Sequence, residues 1–228
     1  MTRMIKAIIF DADGTLYKTR TADAYKKQFE FLEEKTGKKS EKIEARWKKV
    51  KDNVLKYDAK NPEKRKREFI TTQTLIRLGI DPKRSENLAK MSLKIFWTHV
   101  LKDLKHEKDV KKVVSRLGKK YELVVASDEF RKNLNAKLNK ILGDWKNYFK
   151  FLITPDIVKE MKPSKKYYEK VLKKLRLGRN EVIVVGNSWE NDLKPAKEMG
   201  IKTVLINDKI EGEPVHWIKN MKELEKIV

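Results

Sequence analysis

The chain predicts an α/β fold, a doubly wound parallel sheet that carries an all-helical insertion, and three observations predict it. The apolar run from Ile5 to Phe10 has the length and composition of a buried parallel strand. Residues 17 to 97 then place apolar side chains at helical spacing with almost no strand signal. From Asp109 onward short apolar runs alternate with amphipathic stretches, the pattern of strand–helix–strand units.

Within the insertion, the apolar groups are Phe29, Phe31 and Leu32, then Ile43, Trp47, Val50, Val54 and Leu55. Phe69, Ile70, Leu75, Ile76 and Leu78 follow, and after them Leu88, Met91, Ile95 and Phe96. Turn signals at Asn61-Pro62 and Gly79-Ile80-Asp81-Pro82 divide these into about four helices, whose aromatic residues are expected to form the insertion's own core. Beyond it the expected order is a helix over Val110–Leu117, a strand over Glu122–Ala126 and a helix from Glu129. A short strand over Phe149–Ile153, a helix over Ser164–Leu175 and a strong strand over Val182–Val185 come next. A helix over Asn191–Met199 stops at Gly200 and a strand covers Lys202–Ile206. Pro214–Ile218 and the residues Met221, Leu224 and Ile227 read as a last strand and helix. The expected organisation is therefore a sheet domain over 1–16 and 98–228, with a helical subdomain over 17–97.

A chain of 228 residues with 39% hydrophobic content supports one full core with an inserted subdomain. Without cysteine, disulfides, thiolate metal sites and cysteine catalysis are excluded. No stretch approaches the roughly 18 apolar residues of a membrane span, and residues 1–6 lack a secretory apolar region, so a cytoplasmic protein with no membrane partner is expected. The three histidines, His99, His106 and His216, lack ligand spacing. Lys and Arg number 55 against 33 Asp and Glu, a formal charge of +22. These cations are spread over nearly every helix and mixed with Glu, which resembles a thermophile surface more than a nucleic-acid patch. The densest clusters, Lys64–Arg67 and Arg46–Lys49, keep a nucleic-acid contact as the minor alternative. A positive field in either case favours phosphorylated anions.

In a doubly wound sheet, chemistry sits beyond the carboxyl ends of the strands. The first strand runs into Asp11-Ala12-Asp13-Gly14-Thr15-Leu16, where alternate residues aim Asp11 and Asp13 the same way. Two carboxylates held together need a shared proton or a cation such as Mg²⁺. The second strand ends at Ser127-Asp128, and Lys162-Pro163 follows the third. The fourth runs into Gly186-Asn187-Ser188-Trp189-Glu190-Asn191-Asp192. Taken singly, Lys162 reads as a surface residue, Ser127, Asn187, Ser188 and Asn191 as turn or cap residues, and Pro163 as an ordinary helix start. Their joint placement at consecutive strand ends is what points to a site.

This constellation resembles the haloacid dehalogenase-like hydrolase superfamily, whose four motifs occur in the same order: D-x-D-G-T-L at Asp11–Leu16, Ser127, Lys162-Pro163, and G-(D/N)-S-x-x-x-D at Gly186–Asp192. The resemblance covers the whole chain and implies a Rossmann-like core with a helical cap between the first and second motifs. It also implies an enzyme. Asp11 is placed to be a nucleophile on a phosphoryl group, and Asp13 to protonate the leaving oxygen and then deprotonate water. Ser127, with the backbone N–H groups beside it at Asp128, is placed to hold phosphoryl oxygens, and Lys162 to supply fixed positive charge. By resemblance, Mg²⁺ is held by the Asp11 side chain, the Asp13 carbonyl and an oxygen from Asn187 or Asp192. Tyr17, Lys18 and Arg20, just past the nucleophile loop, are the candidates for substrate contact from the cap.

Two positions depart from the family pattern. Asn187 stands where many relatives carry Asp, which removes a negative charge from the metal site. Asp128 stands where Asn is frequent, harmless if only its backbone faces the phosphate and repulsive if its side chain turns inward. Family members that dehalogenate lack the second carboxylate, so Asp13 favours phosphate chemistry. The expected function is a Mg²⁺-dependent phosphatase acting on a small phosphomonoester through an aspartyl-phosphate, as a monomer or homodimer. The alternatives are a 2-haloacid dehalogenase or phosphomutase, or a basic nucleic-acid-binding protein on a degenerate fold of this family.

Overall fold

Four apolar residues with no polar interruption, Ala7-Ile8-Ile9-Phe10, form strand β1 (Ala7–Phe10), and all four are fully buried because strands pair on both sides of them. The computed structural model describes residues 4–58, 61–206 and 216–228. After β1 comes a two-residue strand β2 (Tyr17–Lys18), then the helices α1 (Ala22–Thr36), α2 (Ser40–Tyr57), α3 (Pro62–Arg65), α4 (Arg67–Ile76) and α5 (Pro82–Asp103). The chain returns through β3 (Lys105–His106), α6 (Val110–Leu117), β4 (Glu122–Ala126), α7 (Arg131–Leu142), β5 (Phe151–Ile153) and the short α8 (Pro155–Val158). It finishes with α9 (Lys165–Leu175), β6 (Val182–Gly186), α10 (Lys194–Glu198), β7 (Lys202–Ile206), β8 (His216–Ile218) and α11 (Met221–Leu224).

The main sheet has the order β5-β4-β1-β6-β7-β8, and every pairing in it is parallel. Successive strands go out on one side of β1 and resume on the other, so the switch point falls between β1 and β6. Phe10 stands level with Val125 of β4 and with Val185 of β6. That register brings the residues that follow β1, β4 and β6 to the same edge. The core packs Ile9, Val124, Val184 and Leu205 against Tyr167, Tyr168 and Val171 of α9.

Two compact units are present, an α/β unit (Met1–Thr19 with Leu104–Val228) and a helical unit (Arg20–Asp103). The element bounds differ from expectation at both ends of the insertion. Tyr17 and Lys18 are extended rather than helical, because they pair antiparallel with His106 and Lys105 and so tie the outgoing chain to the returning one. Helix α5 continues past Trp97 to Asp103. The expected last strand begins at His216; Pro214 and Val215 lie outside the described residues. The expected helix over Asn191–Met199 is instead a π-helical turn over Trp189–Leu193 followed by α10. Among the described residues no helix is long and apolar enough to cross a membrane.

The helical unit builds its own core from Phe29, Leu32, Ile43, Trp47, Val50, Ile70, Leu75 and Leu88. Leu55 and Met91, expected on the apolar faces, are 44% and 48% exposed, since their neighbours Val54 and Ser92 take the inward positions. A polar node lies inside this unit. The Thr71 hydroxyl accepts from the Trp47 indole N–H and the Gln28 amide, each at 3.3 Å, and the same amide reaches Ser92 at 3.2 Å. Replacing Thr71 with Val strips the indole of its acceptor at nearly constant volume. We expect a loss of about 1–3 kcal/mol in denaturant unfolding followed by tryptophan fluorescence; an unchanged midpoint would show the node to be energetically idle.

Candidate active site

The loop after β1 is shaped around one carbonyl. The backbone N–H groups of Thr15, Leu16 and Tyr17 all point to the oxygen of Ala12, at 3.3, 2.8 and 3.3 Å. Asp11 is anchored by its own N–H to Val185 O at 2.8 Å, and its carboxylate is buried. One oxygen, Oδ2, accepts the Thr15 hydroxyl at 3.1 Å, and the other, Oδ1, lies 2.5 Å from Lys162 Nζ. Gly14 is left-handed at φ +86°, and a Cβ there would stand 2.3 Å from Asn187 Nδ2. Only glycine lets the Asn187 side chain fold over this loop.

Lys162 arrives from the segment after β5, across a cis bond to Pro163. Its ammonium is buried and lies 2.5 Å from both Asp11 Oδ1 and Asp192 Oδ1. Burial opposes that charge, but the two carboxylates more than offset it and hold the ammonium well above the ordinary lysine value. Two carboxylates share the one cation, so Asp11 is not fully compensated. Burial pushes it up to about 7 against the pull of Lys162, with Asp192 adding to the rise.

Asp192 owes its place to the π-helical turn. The N–H groups of both Asp192 and Leu193 point at Ser188 O, at 2.9 and 3.2 Å, and this wider turn swings the Asp192 carboxylate inward. Its second oxygen accepts the Ser188 N–H at 3.1 Å. A Cβ at Gly186 would lie 2.6 Å from that of Asp192, so glycine is required at the end of β6 for this approach.

Ser127 is buried at the end of β4, and its hydroxyl oxygen accepts the Glu129 N–H at 3.1 Å, which leaves the hydroxyl proton to donate. The Asp128 carboxylate accepts the Lys162 backbone N–H at 2.9 Å, so the side chain fastens the lysine segment to the β4 end. Two tyrosines of α9 support these loops from inside. The Tyr167 hydroxyl lies 2.9 Å from Ile153 O and 3.1 Å from Ser127 O, and Tyr168 donates to Asp192 O at 2.7 Å. Burial raises both phenols well above the ordinary value, so they act as neutral donors.

Asp13 differs from Asp11, with a side chain half exposed. Its Oδ2 accepts the Thr19 hydroxyl at 2.7 Å and lies 3.5 Å from Lys137 Nζ. The remaining expected residues separate. Tyr17 is fully buried on β2, in the α/β unit, and its hydroxyl has no hydrogen-bond partner among the described residues. Lys18 is exposed and pairs with Glu107 at 2.9 Å, and Arg20 is exposed on the helical unit. Sequence reasoning missed Lys137, Tyr167 and Tyr168. The signal for Lys137 was the spacing Glu129, Asn133, Lys137, one face of a helix at successive turns.

Among the described residues no three His, Cys, Asp or Glu side chains gather as a metal-ligand group. Mg²⁺ takes few protein ligands, keeps several waters and prefers oxygen. The Asp11 carboxylate, the Asp13 carbonyl and the amide oxygen of Asn187, whose side chain fills the space over Gly14, are donors of that kind. Asp192 offers a further carboxylate, whose oxygens are engaged by Lys162 and the Ser188 N–H just as those of Asp11 are by Lys162 and Thr15.

Residues 5–200 match a hydrolase family described as haloacid dehalogenase-like hydrolase. Over 90 residues, 40% of this chain, the sequence is 32% identical to the bifunctional epoxide hydrolase 2 of Rattus norvegicus, and the match spans only 15% of that protein's length. The fold is similar to that of the 2-haloacid dehalogenase of Pseudomonas syringae, with a TM-score of 0.75, 21% identity and 98% of each chain covered. It is also similar to the HAD phosphatase of Thermococcus onnurineus, at 0.69 and 21%, covering 98% of this chain and 97% of that one. The HAD-hydrolase YfnB of Bacillus subtilis, bound to magnesium, gives 0.70 and 16% with 99% of each chain covered.

A raised Asp11 makes a stability prediction for the metal-free protein. The folded chain keeps a proton between about pH 4 and pH 7 that the unfolded chain has released, so stability is lost as pH rises through that window. Asp11→Asn removes the ionisation. In EDTA its melting temperature should gain on the wild type between pH 5 and pH 8, and a gap that shrinks over this range would contradict the raised value.

Proposed function

The chain belongs to the haloacid dehalogenase-like hydrolase family, and from that premise we propose that it is a Mg²⁺-dependent phosphatase acting on a small phosphomonoester. The observation that carries this reading is Asp13, a second carboxylate two residues after the buried one, half exposed and held by a single oxygen. Dehalogenation has no use for an acid there, because a halide leaves without a proton.

In this reading Asp11 attacks phosphorus as the phosphorus–oxygen ester bond breaks, and Asp13 delivers its proton to the departing alkoxide. Water then attacks the aspartyl-phosphate while Asp13 takes up its proton. The phosphorus–oxygen bond to Asp11 breaks, which releases inorganic phosphate and restores the Asp11 carboxylate and the protonated Asp13. The Ser127 hydroxyl and the Lys162 ammonium bind the phosphoryl oxygens as negative charge shifts among them. Asp11, the Asp13 carbonyl and Asn187 would hold Mg²⁺, which would supply charge neutralisation and orientation. Asp192 is assigned to Lys162, and Asp128 to the backbone of the same lysine. We assign the helical unit, with Arg20, to substrate selection in the manner of a cap.

With p-nitrophenyl phosphate, turnover should require Mg²⁺ and fall at least about 10³-fold in Asp11→Asn without loss of fold. Activity retained in that variant removes Asp11 from the nucleophile role, and activity on 2-haloacids in its place selects the dehalogenase. Asn187→Asp should lower the Mg²⁺ concentration for half-maximal rate by roughly tenfold, about 1.4 kcal/mol. An unchanged metal requirement would take the ligand role away from position 187.

A further inference from the structure

On one face of α7 and the turn before it, Glu129, Asn133 and Lys137 follow at four-residue intervals. Glu129 Oε1 accepts the Phe130 N–H at 3.1 Å and the Asn133 amide at 3.0 Å, so its carboxylate is fixed by its own helix start. The other oxygen, Oε2, lies 3.1 Å from Lys137 Nζ. Lys137 is 3% exposed, an unusual state for a lysine, with its ammonium 5.4 Å from the centre of the buried Tyr17 ring and 3.5 Å from Asp13 Oδ2. A buried ammonium carries a desolvation cost and persists where carboxylates offset it. Here one of the two carboxylates is Asp13.

We propose that Lys137, clamped by Glu129, is a positioning residue that holds Asp13 by one oxygen and leaves the other to transfer the proton. Oδ2 is engaged by Lys137 and by the Thr19 hydroxyl, while Oδ1 carries no hydrogen bond among the described residues. A carboxylate fixed at Oδ2 cannot flip about its last torsion, so the proton is always presented from Oδ1. The inference rests on the reading of Asp13 as leaving-group acid. It assigns to α7 the task of orienting that acid, separately from the Asp11–Lys162–Asp192 group.

Leaving-group dependence tests it. p-Nitrophenolate departs as a stable anion and needs no proton, whereas the alkoxide of 2-phenylethyl phosphate departs only as it is protonated. In Lys137→Met, which keeps the length and apolar stem, kcat on 2-phenylethyl phosphate should fall about 30-fold or more. The fall on p-nitrophenyl phosphate should be at least about tenfold smaller, with KM for both esters little changed. Lys137→Arg should restore most of the alkyl-ester rate. Glu129→Gln, on the partly exposed turn, should show the same selective loss in smaller measure and carries the test if Lys137→Met does not fold. Equal losses on the two esters in a folded variant would overturn the proposal and leave the phosphatase reading standing. A wild-type enzyme inactive on both esters with Mg²⁺ would overturn that reading and this proposal together.

Discussion

One ammonium organises the polar edge of the sheet. Lys162 lies between Asp11, at the end of β1, and Asp192, in the π-helical turn after β6, at 2.5 Å from each. These groups come from three separate parts of the chain and all are buried. Deleting Lys162 would leave two carboxylates without their cation in a poorly solvated interior, a cost of about 3–5 kcal/mol. The arrangement therefore fixes the spacing of the strand ends as well as their charge. Asp128 and Tyr168 serve the same lysine and the same aspartate from outside the ion pairs, by holding backbone atoms of Lys162 and Asp192.

Close approach is the second constraint. Asn187 lies over the loop after β1 and Asp192 against the end of β6 only because Gly14 and Gly186 have no Cβ to intervene. The extra residue taken up by the π turn is what lets an acidic side chain reach inward from a segment that otherwise reads as the start of an ordinary helix. Departures from regular geometry are thus concentrated where polar groups converge, and the strands behind them are regular, apolar and fully paired.

Asp11 and Asp13 stand two residues apart in the sequence and in opposite environments. Asp11 is sealed among Lys162, Thr15 and the strand ends, which suits the nucleophile role proposed for it. Asp13 is half exposed and tethered by one oxygen, which suits the proton-transfer role proposed for it. The net charge of +22 resides mostly on the lysine-rich surface. By contrast, Lys162 and Lys137 are buried, and each lies between two carboxylates.

The sequence by itself determined the strand–helix alternation, the helical insertion and the residues at the strand ends. These follow from local periodicity, and strand ends in a parallel sheet necessarily meet at one edge. Asp11, Ser127, Lys162 and Asp192 were legible for that reason. Tertiary structure alone decided what each side chain touches. Lys137 meets Asp13 across 124 residues of chain, and Tyr168 meets Asp192 from a helix whose lysine-rich sequence gives no polar cue. Asp128 accepts from the backbone N–H of Lys162, and Tyr17 is buried on a strand because residues 105–106 return to pair with 17–18. Local propensity carries no information about such partners, which are set by register, by the turns at the strand ends and by which charges a closed interior must pair.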